Sequence, residues 1–271
     1  MLIKLMKYDI IRKKNTLLTS IAVFILMELL MLFSLYKGGS WIIVFVVGST
    51  LLFAGSLIFV LYDNIKLLSD DLNTKSGYML FLTPNHGYNI VGSKMIVGFI
   101  EVIIAMVLLI IAFSINYSYA NTLADGEFAM MVKSVIQELS TEIKSVGITN
   151  FHYFSTFIGM ILEWFAFIVT VYLAIILRKT LFSGVKFKGF LSFAVFVALN
   201  IAVSTVTQAV SVGVMTISNY GDLLTNPEVI EPERIVGFVN LMIGISNGLN
   251  LVVIVGFFIA SGYLLTKKVD L

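Results

Sequence analysis

Six stretches, at about 16–36, 41–62, 93–116, 153–177, 190–217 and 236–265, are each long enough to cross a bilayer as a helix and together hold only four charged residues, Glu28, Lys94, Glu101 and Glu163. A hydrocarbon core of roughly 30 Å needs about 20 helical residues to span it, and only backbone that satisfies its own hydrogen bonds can do so. All three prolines, Pro84, Pro227 and Pro232, fall between the stretches, where a helix breaker does no harm. The chain is 59% apolar and 13% charged, with a mean hydropathy of +0.99. That is too little charge to cover a water-soluble globule of 271 residues. A soluble enzyme and a nucleic-acid binder are excluded on this ground. The expected fold is all-α: a polytopic membrane protein of six transmembrane helices in one domain, 1–271.

The absent residues exclude further chemistry. With no cysteine, there can be no disulfide, thiolate metal site or cysteine nucleophile. The two histidines, His86 and His152, fall on opposite sides of the expected membrane and cannot share a site. No G-x-x-x-x-G-K-[ST] phosphate loop and no H-E-x-x-H pair occurs, so the chain is not expected to hydrolyse ATP by itself, to bind a metal or to act as an enzyme.

Orientation follows from the bases. Of the 18 Lys and Arg, 14 lie in the N-terminal segment, the second-to-third connection with Lys94 at its end, the fourth-to-fifth connection and the C-terminus. Only Lys37, Lys133, Lys144 and Arg234 lie in the alternate connections. The positive-inside rule then makes both termini cytoplasmic. The first apolar run is too long for a signal-peptide core, and no small-x-small cleavage site follows it, so it is expected to be a retained helix.

The connecting segments carry their own patterns. Within 1–14, Leu2, Ile3, Met6 and Ile10 share a helical face among bases, which suits an interfacial helix or a plain basic lead-in. In 117–152, Phe128, Val132, Val135, Ile136, Leu139 and Ile143 recur at helical spacing, which predicts an external amphipathic helix. A second external loop covers 218–235. On the fifth span Asn200, Ser204, Thr207, Gln208 and Ser211 form a polar stripe, and the sixth span adds Asn240 and Asn247. These either line a translocation cavity or hydrogen-bond between helices. Gly48, Ser49, Gly55 and Ser56 permit close packing of the second span. The intramembrane acids Glu28, Glu101 and Glu163 each cost about 2.5–3.5 kcal/mol at mid-bilayer on insertion scales. They could carry protons, face a cationic substrate, or pair locally. Glu101 lies about two helical turns from Lys94, which also suits a residue at the membrane boundary.

The segment 63–94 is richer than a connector needs. Asp70 and Asp71 precede Lys75; Gly77 opens the apolar run Tyr78-Met79-Leu80-Phe81-Leu82, which stops at Pro84; and Gly92-Ser93-Lys94 leads into the third span. This order, with the six spans, the basic N-terminus and the closing Ser261-Gly262-Tyr263-Leu264-Leu265-Thr266-Lys267-Lys268, resembles permeases of type-2 ATP-binding-cassette (ABC) exporters of the clostridial and related Firmicute kind. The resemblance implies a multi-pass protein of the bacterial plasma membrane that binds no cofactor itself. A pair of cytoplasmic ATPase subunits would carry ATP and Mg, and a second permease chain, identical or different, would complete the dimer. It also implies that 63–92 is the coupling loop, with Asp70, Asp71, Lys75, Gly77, Tyr78, Leu80, Phe81, Leu82 and Pro84 at the ATPase contact, and that 1–14 is a connecting helix. The cargo it implies is amphipathic or hydrophobic: a toxin peptide of the phenol-soluble-modulin type, an antimicrobial peptide or a drug, with antimicrobial resistance as one outcome. The competing expectation from the residues alone is an ion-gradient-driven carrier using Glu28, Glu101 and Glu163.

Overall fold

A computed structural model describes residues 2–74, 86–145, 147, 149–181, 188–218, 220 and 232–267. Seven α-helices account for nearly all of them: α1 Leu2–Lys37, α2 Ile42–Asn73, α3 Gly87–Leu123, α4 Glu127–Ser145, α5 Asn150–Leu181, α6 Lys188–Ile217 and α7 Pro232–Lys267. Six of these, all but α4, are long and apolar enough to cross a membrane. Long apolar side chains such as Leu29, Leu30, Phe113, Val252 and Ile259 stand exposed along them, and no described residue of α6 is buried. In water such a surface would drive aggregation; in lipid it is the ordinary outer face of a bundle.

The helices outrun the apolar stretches. Of the segment 1–14, residues 2–14 are the start of the continuous α1 rather than a separate helix. Likewise 63–73, expected as the start of a loop, continues α2 to Asn73. Charged residues there find partners on neighbouring helices, so the helix need not end where the apolar run does. The segment 75–85, the greater part of 218–235, and 268–271 lie outside the described residues.

The chain divides into two compact units, Met1–Gly77 with Gly92–Gln137, and Tyr78–Val91 with Glu138–Leu271. In the first, α1 and α2 form a hairpin closed by Gly38 and Gly39 and the 3-10 turn Gly39–Trp41. Gly38 and Gly39 have φ of 60° and 57°, the left-handed region where glycine carries no Cβ penalty. Gly48 of α2 lies against Met31 of α1, as the small-residue pattern permits. The remainder of α3 runs parallel to α1, with Lys94 beside Asp9, Glu101 beside Lys13 and Asn116 beside Glu28.

In the second unit α5 packs along α7 and, less extensively, along α6. Its stretch from Ala166 to Ile176 is almost continuously buried. Phe167 of α5 meets Phe196 of α6 edge to face, 5.4 Å between centroids. The first turn of α3 seats on the end of α7. The Gly87 amide donates to Thr266 Oγ1 at 3.0 Å, and the Tyr88 ring covers Gly262. Only a glycine at 262 leaves room for that ring, which gives the closing Ser-Gly-Tyr-Leu-Leu-Thr run a packing role. Gly262→Leu is therefore expected to cost about 1–3 kcal/mol by overpacking, read as a lower melting temperature in detergent.

The amphipathic segment does form a helix, α4. Its apolar residues Val135, Ile136 and Leu139 are exposed in the single chain.

Candidate functional site

The charged residues of the first unit converge. On α1, Asp9, Arg12 and Lys13 stand at i, i+3 and i+4, one face of a helix. On α2, Asp63, Asn64, Leu67 and Asp71 fall at i, i+1, i+4 and i+8; on α3, Ser93, Lys94 and Glu101 fall at i, i+1 and i+8. The three faces meet in two neighbouring clusters of ion pairs, one around Lys94 and one around Lys13. Lys94 Nζ, fully buried, lies 3.3 Å from Asp9 Oδ1 and pairs with Asp71 as well. Ser93 Oγ donates to Asp9 Oδ2 at 3.4 Å. Arg12 reaches in from the exposed side, pairing with Asp71 and donating from Nη2 to the Leu67 carbonyl at 3.0 Å.

About two turns further along α3, Lys13 Nζ bridges two more acids, 2.7 Å from Glu101 Oε1 and 2.8 Å from Asp63 Oδ2. Asn64 Nδ2 donates both to Glu101 Oε2 at 3.0 Å and to the Val60 carbonyl at 2.8 Å. Gly98 is what lets it do so, because even a Cβ at 98 would collide with the Asn64 side-chain oxygen. An isolated charge buried here would cost several kcal/mol, so pairing is a condition of folding rather than an addition to it. The first cluster sets Asp9 and Asp71 against Arg12 and Lys94 and is balanced. The second sets Asp63 and Glu101 against Lys13 and, with all three ionised, carries one negative charge in excess.

Glu101 is also in the wall of a half-open cavity of about 450 Å3 between α1, α2 and α3. The wall runs from Thr16 to Met27 on α1, from Leu51 to Val60 on α2 and from Glu101 to Leu108 on α3. Because α1 and α3 run parallel and α2 opposite, Thr16, Val60 and Glu101 lie at one end and Met27, Leu51 and Leu108 at the other. The surface is mainly apolar. The hydroxyls of Thr19, Ser20 and Ser56 donate to carbonyls of their own helices, at 2.9, 2.8 and 2.8 Å. Glu101 is the one charged residue in the lining. A mainly apolar chamber with a few placed polar groups is the usual form of a small-molecule site.

The other sequence-predicted residues take different places. Glu28 is buried and accepts from Asn116 Nδ2 at 2.8 Å, a local pairing. Glu163, by contrast, is exposed on α5. Asp71, expected at a docking surface, is turned inward and buried between Lys94 and Arg12; it holds α2 to α1 and α3. Its neighbour Asp70 is half-buried, and its carbonyl accepts from the Thr74 amide and hydroxyl at 2.9 and 2.7 Å. Lys75, Gly77, Tyr78, Leu80, Phe81, Leu82 and Pro84 lie outside the described residues.

On α6, Asn200 donates to its own helix at Phe196, 3.0 Å, while Thr207 and Ser211 are half-buried and Ser204 and Gln208 exposed. On α7, Asn240 is half-buried, and Asn247 donates to the Ser155 carbonyl of α5 at 3.3 Å, against Gly159. Of the two roles expected for this stripe, Asn247 thus fills the interhelical one.

The cluster residues Asp9, Lys13, Asp63 and Asn64 were not foreseen as a site. Their signal is charge at helical spacing, 9/13 and 63/71 outside the apolar stretches and 94/101 at the start of the third. Compared with known protein families, characterised proteins and solved structures, the chain matches none.

Proposed function

We propose that the chain is the membrane permease subunit of an ATP-driven ABC exporter, moving an amphipathic or hydrophobic cargo out of a bacterial cell. One observation carries the reading: buried ion pairs fix the foot of α2, where the chain enters 75–85, to α1 and α3, the helices that wall the cavity with it. Asp71, the anchor of that foot, is four residues before Lys75, and the Lys94 it pairs with leads to Glu101 on the cavity wall. Displacement of 75–85 by a docked ATPase pair would thus be transmitted through charges that cannot separate without large cost. In this reading 75–84, with Tyr78, Leu80, Phe81 and Leu82, is the cytoplasmic coupling element, α4 lies on the outer surface, and ATP and Mg are held by the partner. A second permease chain completes the dimer. The apolar wall suits cargo such as a drug or an amphipathic peptide segment.

A second reading, an ion-gradient-driven carrier, is favoured by Glu101 alone, an acid that faces both a cavity and a buried lysine. Two variants separate the readings. Leu80→Asp combined with Phe81→Asp is expected to abolish ATP-dependent export from cells or vesicles while the protein remains folded in the membrane. A carrier would keep its transport in that variant and lose it in Glu101→Gln. Charge reversal at Asp71 does not serve this purpose, because it strikes the ion pairs themselves.

A further inference from the structure

The cavity in the first unit has properties that select an occupant. Its walls cannot replace the hydration shell of a small inorganic ion, since the lining is apolar except for Glu101 and a few hydroxyls that bond to their own helices. Two aromatic rings, Phe24 and Phe59, stand in the same lining, and aromatic faces attract cations. The end of the cavity at Glu101 meets the cluster in which two carboxylates, Asp63 and Glu101, share one lysine, Lys13. A neutral acyl chain would fill the volume and leave that charge unanswered, and an anion would meet it with repulsion.

We propose that this cavity is a binding site for a lipophilic organic monocation, its charge directed at Glu101 and its apolar body among Phe24, Phe59 and Leu108. The site needs no ATPase and no ion gradient to bind, so the inference stands apart from the transport reading and survives if that reading fails.

The probe is tetraphenylphosphonium, with tetraphenylborate as its counterpart of the same shape and opposite charge. Binding is measured on the full chain in nanodiscs. Saturable binding of the cation at one per chain is expected, with none for the anion. Glu101→Gln, which keeps the side-chain shape, should weaken cation binding at least about tenfold, the scale of one Coulomb contact in a partly screened site. Glu101 also helps hold Lys13, so a variant that leaves the ion pairs intact is needed beside it. Gly55 lines the cavity, and a Cβ there meets nothing within 4 Å. Gly55→Phe should therefore fill the chamber, remove saturable binding and leave the melting temperature close to that of the wild type. Equal binding of the two probes would overturn the proposal: it would mean that a proton or a neutral lipid answers the charge. So would full cation affinity in a folded Gly55→Phe chain.

Discussion

Lys94→Met is expected to lower stability by about 3–5 kcal/mol, the cost of breaking a buried charge pair from one side. Lys94 is completely buried and serves Asp9 and Asp71 together. After the substitution Asp71 still has Arg12, but Asp9 keeps only Ser93 Oγ at 3.4 Å. An ionised Asp9 would then be buried with no cation in direct contact among the described residues, and only Arg12 acting on it at longer range. Methionine replaces the stem of the lysine but not its charge, so the loss is electrostatic rather than steric. The unfolding midpoint in detergent, followed by tryptophan fluorescence, reads the effect. Adding Asp9→Asn to Lys94→Met should recover part of the loss, so that the two costs fall short of their sum by about 1 kcal/mol or more. A Lys94→Met chain that melts like the wild type would contradict the pairing.

Gly98→Ala is expected to destabilise by about 2–3 kcal/mol, although in an exposed helix the same change stabilises. The new methyl collides with the Asn64 amide. If Asn64 swings away, Glu101 Oε2 loses its donor. The cost is therefore a clash plus an unsatisfied buried carboxylate oxygen. Gly98→Ala with Asn64→Ala removes the clash and keeps the unsatisfied oxygen. The pair should cost no more than about the larger single change, a non-additivity visible in the same unfolding assay. Independent, additive costs would place Asn64 elsewhere.

The six long apolar helices were legible because bilayer length and hydropathy leave few alternatives. Their ends were not, and the reason is electrostatic. Hydropathy counts Asp63, Asp71 and Lys94 as exits from the membrane, whereas each sits within a continuous helix and is neutralised across it. A charge paired on a neighbouring helix does not end a helix; only an unpaired one pushes the chain toward water. The same blindness affects the count of bases by connection, because Arg12, Lys13 and Lys94 answer buried acids rather than lipid headgroups. Among the candidate residues, Glu101 was legible as an acid that needed an explanation, and so was Asn247 as an interhelical donor. Asp71 was misplaced because adjacent acids near a turn resemble a solvated surface in sequence. The cavity was not legible at all. It is the space left where three helices meet, and no single helix pattern encodes a void.

Coupling of a cytoplasmic ATPase to the membrane helices through buried charge is tested most directly by affinity purification of the chain, co-expressed with the gene neighbours of its operon, followed by ATP hydrolysis in proteoliposomes. An ATPase subunit is expected to co-purify, and its turnover to fall when Leu80→Asp and Phe81→Asp are introduced together. A chain that purifies alone, with transport driven by an ion gradient and unchanged by those substitutions, would contradict it.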